Sequence, residues 1–304
     1  MYLVSVIITT KNEEKNIEAC LKSIKGQTYK DIEIIVVDNL SSDSTKEIAL
    51  KFTGKVFDKG PERSAQRNFG MIDKSSGEYV MYIDADMLLS PDLIEACVEE
   101  MKKDNSVSAL HIPEIVLGKS YFSRVRRFER CFYNGTCIDG ARFFLKSAFV
   151  SAGGFDESMS GPEDWDMDKK IKTAGKIQLL EVDSKSRADA GLKVRELYGF
   201  IRDRGVDPSR YGAVIFHNES EFDLSRYLTK KGYYSQSFAT YIKKWGKNDP
   251  DIIKQFGVLY RFFCVFTEKG KWKRLAAHPV LTFGLYFLRF VVGFTFLMKK
   301  PVPK

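Results

Sequence analysis

Apolar residues arrive in two rhythms along the first half of this chain. Val4–Thr9 is an unbroken apolar and β-branched run, the pattern of a strand buried on both faces. Asn16–Ile24 then sets Ile17, Cys20, Leu21 and Ile24 three and four residues apart, one face of a helix. The alternation continues with a strand over Ile32–Val37, a helix over Ser44–Phe52, a short strand at Val56-Phe57, a helix over Ser64–Ile72 and a strand over Glu78–Ile83. Ser90-Pro91 supplies an N-cap and a first-turn proline for a helix that turns Leu93, Ile94, Cys97, Val98 and Met101 inward. Strands of this kind alternating with helices predict an α/β fold around a doubly wound, mostly parallel sheet. Ligands of such sheets bind at the carboxyl ends of the strands. Lys11-Asn12-Glu13, Asp38-Asn39 and Asp84-Ala85-Asp86 all fall on that edge.

The second half is less regular. Arg142–Leu145 and Ile177–Val182 read as strands, Gly153-Gly154-Phe155-Asp156 as a turn, and Pro162 to Ala174 as a helix opened by acids. After residue 220 the pattern changes. Ser225–Lys244 is a basic, tyrosine-rich helical stretch, Phe256–Phe266 is strongly apolar, and Val280–Met298 carries a single charge, Arg289. A catalytic domain over 1–220 and a basic, hydrophobic helical region over 221–304 are expected. No internal repeat or low-complexity linker separates them.

Charge sharpens this division. The chain carries a net +8, yet residues 1–220 sum to −3 and residues 221–304 to +11. A basic excess beside the most apolar segment points to an anionic membrane surface and away from nucleic acid. Val280–Met298 has about the length needed to cross a hydrocarbon core of about 30 Å, although Arg289 would cost about 2.5–3.5 kcal/mol at its centre. Lys271, Lys273 and Arg274 before it, and Lys299, Lys300 and Lys304 after it, suit a helix in the interface, a hairpin with Phe256–Phe266, or a span. The competing expectation is a long apolar helix packed on the catalytic domain or on a second subunit. The five cysteines are scattered without a C-x-x-C pair, so a reducing compartment is expected and zinc is not. The first residues lack the charged front of a signal peptide and read as a buried strand.

The candidate chemistry starts at Asp84 and Asp86. If the strand runs through them, both acids point to one side. Two anions where a buried strand surfaces call for a divalent cation carrying a diphosphate, since hard cations such as Mg2+ take oxygen ligands. Further motifs follow in order. They are Val4-Ser5-Val6-Ile7-Ile8-Thr9-Thr10-Lys11-Asn12-Glu13, Val36-Val37-Asp38-Asn39 with Ser41-Ser42-Asp43-Ser44-Thr45, Arg67-Asn68-Phe69-Gly70, Asp84-Ala85-Asp86, Gly153-Gly154-Phe155-Asp156 and Glu163-Asp164. In this order and spacing the chain resembles the family 2 glycosyltransferases over about residues 3–220.

The resemblance implies a GT-A-type nucleotide-sugar-binding fold, an inverting transfer and a need for Mg2+ or Mn2+. It implies that Thr9, Glu13, Asp38 and Arg67 line the nucleotide-sugar pocket, that Asp84 contacts the ribose, and that Asp86 holds the metal with His217. It assigns the base to Asp164, supported by Glu163. If the acceptor is a phosphate, its oxygen is already ionised, and Asp164 then only orients it. Trp165, Lys231 and Tyr234 are the candidates for acceptor contacts; Tyr227, Lys230 and Tyr233 belong to the same basic, aromatic stretch of membrane-linked relatives. The Gln-x-x-Arg-Trp motif of processive members is absent, so one sugar per binding event is expected. The expected reaction moves one sugar from a nucleotide-diphosphate donor to a lipid-linked acceptor, a polyprenyl phosphate or lipid-linked glycan, at the cytoplasmic face of the cell membrane. The alternatives are a soluble or protein acceptor, a nucleotidyltransferase, and a non-catalytic membrane scaffold. Thr10-Lys11-Asn12-Glu13-Glu14 stands where a nucleotidyltransferase would carry a Gly-rich basic loop.

Overall fold

The computed structural model describes residues 2–181, 192–219 and 222–298. Four parallel strands, β1 (Val4–Thr10), β2 (Ile32–Asp38), β3 (Val56–Asp58) and β4 (Tyr79–Asp84), form its centre. Every residue of β1 is buried. Val4, Val6 and Ile8 face the layer of Ile17, Cys20, Leu21 and Leu93, and Ile7 faces Met71, Phe149 and Met167 on the other side. This is the two-residue alternation of a strand covered by helices on both faces.

Six further strands complete the architecture: β5 (Met87–Leu89), β6 (Val107–His111), β7 (Glu114–Leu117), β8 (Ala141–Leu145), β9 (Lys176–Leu179) and β10 (Ile215–Asn218). The large sheet has the order β3-β2-β1-β4-β8-β6-β9, with β8 antiparallel to both β4 and β6. The mostly parallel α/β sheet expected from the sequence is therefore present. Strand order reverses between β1 and β4, the point where such sheets open a crevice at their carboxyl ends. The register sets Thr9 opposite Asp84 and Thr10 opposite Asp38 at that point.

A smaller sheet, β5-β10-β7, was not legible in the alternating pattern. Its strands are three or four residues long and make no periodic signal. It pairs His217 with Met87, and the amide of Asn218 donates to the carbonyl of Asp86 at 2.8 Å. A distant segment is thereby delivered to the acidic edge.

The region from Leu224 to Met298 is helical throughout its described elements. The single helix expected over Ser225–Lys244 is two, Leu224–Tyr234 and Phe238–Trp245, divided by a 3-10 turn at Ser235–Ser237. Serine hydroxyls explain the break, since they offer the backbone local partners; Ser235 Oγ donates to Gly232 O at 2.7 Å. The Pro279–Met298 helix lies against the Tyr121–Arg130 helix. Gly284 permits the approach, because a Cβ there would sit 2.5 Å from Tyr121 Oη and 2.6 Å from a Val125 methyl. Leu285 and Leu288 bury themselves with Val125, Phe132, Val265 and Phe266.

Arg289, the charge expected to burden this helix, is buried against the protein with Nε 2.7 Å from Glu129 Oε1. The opposite face leaves Val280, Phe283, Phe287, Phe290 and Phe294 exposed, spaced alternately three and four apart. Among the described residues no helix is long and apolar enough to cross a membrane. Val182, the expected 220/221 boundary and the flanking Lys299, Lys300 and Lys304 lie outside the described residues.

Candidate active site

β4 ends at Asp84, and Ala85-Asp86 form a turn before β5. The expectation that one strand carries both acids is thus corrected: the strand stops at Asp84, Ala85 is buried in the core, and Asp86 stands on the turn. Asp84 still faces the crevice. Its Oδ1 accepts from Thr9 Oγ1 at 3.2 Å and lies 3.4 Å from Arg67 Nη2. Burial opposes the charge on Asp84, but Arg67, Arg63 and Arg142 outweigh it and hold the carboxyl far below the usual range. Glu13 stands near, its carboxylate accepting from Asn16 at 2.7 Å. Burial raises its pKa, the Asn16 bond lowers it, and Asp86 and Asp84 raise it further.

Arg67 is the hub of the edge. Its side chain is 2% exposed and reaches three acids. Nη1 is 3.0 Å from Asp164 Oδ1 and 3.7 Å from Glu163 Oε1, and Nη2 turns to Asp84. The guanidinium also lies over the Tyr82 ring at 4.2 Å. Burial disfavours its charge, yet Asp164, Tyr82 and Asp84 together raise its pKa. Tyr82 Oη donates to Asp164 Oδ1 at 2.8 Å, so both bonds to Asp164 fall on one oxygen. Oδ2 has no partner among the described residues and is left for a ligand. Gly140 makes room for this carboxylate, since a Cβ there would lie 2.8 Å from Asp164 Cβ. Glu163 is buried, 3.3 Å from Arg63 Nη2, and accepts from the Gly161 amide. Burial and then the Asp164 charge raise its pKa.

Asp86 meets His217 on the other flank. His217 Nε2 is 3.2 Å from Asp86 Oδ2, and Nδ1 is 2.8 Å from Glu114 Oε1. Burial works against the imidazolium, but Asp86 and Glu114 outweigh it and raise the pKa well above the ordinary range. Asp86 Oδ1 is buried without a hydrogen-bond partner. An orphaned carboxylate oxygen beside an imidazole whose far nitrogen is fixed by a second carboxylate suits a divalent cation. Among the described residues no group of three or more His, Cys, Asp or Glu side chains encloses such an ion. Asp86 Oδ1 and, once deprotonated, His217 Nε2 fit a divalent cation whose remaining positions substrate phosphate and water would fill.

The structure brings Thr9, Glu13, Arg67, Asp84, Asp86, Glu163, Asp164 and His217 to one edge. Tyr234 joins at the rim, accepting from Arg63 Nη2 at 3.0 Å. Asp38 is fully buried and accepts from Ser41 N at 2.7 Å and Ser41 Oγ at 2.5 Å, so its carboxylate is committed to its own turn. Trp165 is engaged elsewhere: its Nε1 donates to Ile138 O at 3.0 Å, and its ring packs on Phe238, Tyr241 and Phe256. Lys231 sits over Tyr227 under the C-terminal helices. Sequence reading missed Arg63, Tyr82, Glu114 and Arg142. For Tyr82 a signal existed, since it stands two residues before Asp84 on the same strand. Glu114 and Arg142 lie on strands remote in sequence and gave none.

Residues 5–155 match the protein-family model described as Glycosyl transferase family 2. A hyaluronan synthase of Pasteurella multocida is 23% identical over 241 residues, 73% of this chain and 24% of its own length. A GalNAc(5)-diNAcBac-PP-undecaprenol beta-1,3-glucosyltransferase of Campylobacter jejuni is 37% identical over 92 residues, 27% of this chain and 29% of its own. The chain thus spans less than a third of the length of either relative. A solved mannosyltransferase from Pyrobaculum calidifontis, in complex with GDP-Man and Mn2+, shares the fold with a TM-score of 0.58 at 19% identity, over 99% of this chain and 81% of that one. With the acidic motifs of the sheet edge inside or beside the matched segment, the chain belongs to glycosyl transferase family 2 and has the GT-A fold.

Proposed function

We propose that this protein transfers a single sugar, with inversion, from a nucleotide-diphosphate sugar to a lipid-linked acceptor, and that it uses Mg2+ or Mn2+. The observation that carries this reading is the coupling of two poles by one buried guanidinium. Arg67 ties the donor-side Asp84 to Asp164, the candidate base, within a single side chain's reach. Asp86 and His217 would hold the cation, which neutralises charge developing on the leaving nucleoside diphosphate. The acceptor oxygen bonds to the anomeric carbon as the bond from that carbon to the diphosphate oxygen breaks, and the electron pair leaves with the nucleoside diphosphate. With a sugar hydroxyl as nucleophile, Asp164 Oδ2 takes the proton. With a phosphate as nucleophile the oxygen is already ionised, and Asp164 orients it. Thr9, Glu13 and Arg67 line the donor side.

The lipid-linked acceptor draws support from the undecaprenol-linked substrate in the name of the Campylobacter jejuni relative and from the C-terminal layer. The exposed Val280–Phe294 stripe and the +11 charge of residues 221–304 suit the surface of an anionic bilayer, with the helix lying in the interface at the cytoplasmic face. The stripe's opposite face is already occupied by the protein.

The test is incorporation of labelled sugar into a lipid extract from a panel of nucleotide sugars with Mg2+ or Mn2+. Label should enter the organic phase and fall by about a thousandfold in Asp86→Ala, the loss expected when metal stabilisation worth several kcal/mol is removed. Donor turnover without labelled lipid would overturn the lipid acceptor. An unchanged rate in Asp86→Ala would overturn the metal role.

A further inference from the structure

Four cations converge beneath the Pro279–Met298 helix. Arg126 comes from the Tyr121–Arg130 helix, Lys231 from Leu224–Tyr234, Arg261 from the π-helical turn Tyr260–Cys264, and Arg289 from Pro279–Met298 itself. Arg126 and Lys231 both lie over the Tyr227 ring, at 5.0 and 5.3 Å. Among the described residues two acids pair with them. Glu129 is shared by Arg126 at 2.6 Å and Arg289 at 2.7 Å, and Glu219 stands 3.5 Å from Arg126 Nε. Lys231 and Arg261 make no ion pair among the described residues. Arg261 Nη1 and Arg126 Nε are buried without a hydrogen-bond partner.

Buried cations left unpaired are costly, and a fold that gathers them needs an anion from outside. The surroundings indicate which kind. Arg126, Lys231 and Arg261 are half-buried, so the cluster opens to solvent on one side. Val258, Leu259 and Phe263, beside Arg261 in sequence, expose apolar surface. Glu219 links the cluster to the catalytic edge, because its Oε1 lies 3.7 Å from His217 Nδ1. Surplus positive charge next to an apolar surface, one residue from the candidate metal position, fits a phosphate carried on a hydrocarbon chain.

We propose that Arg126, Lys231 and Arg261 form the acceptor's phosphate site and take the phosphate or diphosphate group of a prenyl-type lipid. This rests on the lipid-linked acceptor proposed above and gives it an address. Burial and then the neighbouring Arg126 lower the Lys231 pKa to about 7, as expected for an ammonium group whose counter-ion comes with the ligand.

The test is equilibrium binding to the full chain without sugar donor, so that its outcome is separate from that of the transfer assay. Farnesyl phosphate, farnesol, inorganic pyrophosphate and, with Mn2+, a nucleoside diphosphate are titrated against wild type, Lys231→Gln and Arg261→Gln. Lys231→Gln removes an unpaired charge and is expected to melt no lower than wild type, which guards against misfolding. Farnesyl phosphate should bind wild type and weaken at least tenfold in each variant, farnesol should not bind, and the nucleoside diphosphate should bind all three alike. Equal weakening of nucleoside diphosphate and farnesyl phosphate would assign the cluster to the donor and overturn the proposal. Farnesyl phosphate bound equally by all three proteins would also overturn it. Pyrophosphate bound as tightly as farnesyl phosphate would reduce the site to a free-phosphate site and overturn its lipid part. If lipid transfer fails while this binding pattern holds, the transfer reading is at fault and the anion site stands.

Discussion

The acidic edge of the sheet and the basic cluster beneath the last helix meet one electrostatic problem in opposite ways. At the edge, Asp84, Glu163 and Asp164 are answered by Arg67, and Asp86 by His217. Under the helix, among the described residues, two acids face four cations, and two of those cations have no acid of their own. The edge holds its geometry through fixed side chains, which is what catalysis requires of groups that must not reorganise as charge develops. The cluster leaves its balance to a ligand. A compensated charge set marks preorganisation, and a surplus marks binding.

The comparison can be broken at several points. Asp164→Asn should lower kcat by about 10²–10⁴ with a sugar-hydroxyl acceptor and leave the donor KM unchanged, as loss of a general base does. A fall in kcat of less than tenfold would make Asp164 a positioning group. Next, Arg67→Met removes the answer to three acids and should destabilise the fold by about 3–5 kcal/mol, the range for breaking a buried pair. Glu129→Gln does the converse in the cluster and should destabilise comparably. Thermal melting checks both. Pyrophosphate should raise the melting temperature of Glu129→Gln, whose cluster has lost an acid, by more than that of Arg67→Met, whose cluster is intact.

A smaller effect lies one turn along from Asp164. His111 Nε2 is 2.6 Å from Asp168 Oδ2, and Nδ1 is 3.8 Å from Asp139, which Arg130 also pairs; Lys172 is the opposing charge nearby. Burial disfavours the imidazolium, but Asp168 and Asp139 raise its folded pKa above the ordinary 6.5. The sign follows from linkage. The stabilisation is complete below the unfolded pKa and is lost as pH rises through the folded value. The melting-temperature gap between wild type and His111→Gln should therefore be widest near pH 5.5 and narrow by about pH 8.5. A gap that widens with pH would refute the assignment. The smallest effect is expected at Trp165→Phe, which loses one hydrogen bond to Ile138 O and should cost about 1 kcal/mol. Acceptor KM should not change, because the ring is packed on Phe238 and Phe256.

The edge was legible because its acids follow apolar strands and helix starts, features that local chemistry writes into a few consecutive residues. Asp84 and Asp86 were found this way, and Glu163 and Asp164 by the resemblance. Arg67 was found by resemblance, although its role as a hub was not visible. Asp38 and Trp165 show the converse. Both residue types suit a ligand, yet Asp38 also accepts from its own turn and Trp165 packs into a helical core, contacts that no local pattern announces.

The sequence by itself determined the alternating α/β fold and the acids at the strand ends, because hydrophobic periodicity and strand termination are properties of neighbouring residues. It also marked the basic, apolar C-terminal quarter, because charge and hydropathy can be counted along the chain. Tertiary structure alone decided that Glu114 meets His217, 103 positions away, and that Arg289 turns inward to Glu129. It alone placed Arg126 and Lys231 over one ring. Which charges compensate one another depends on distance in space, and a chain can bring together charges that no window of its sequence contains.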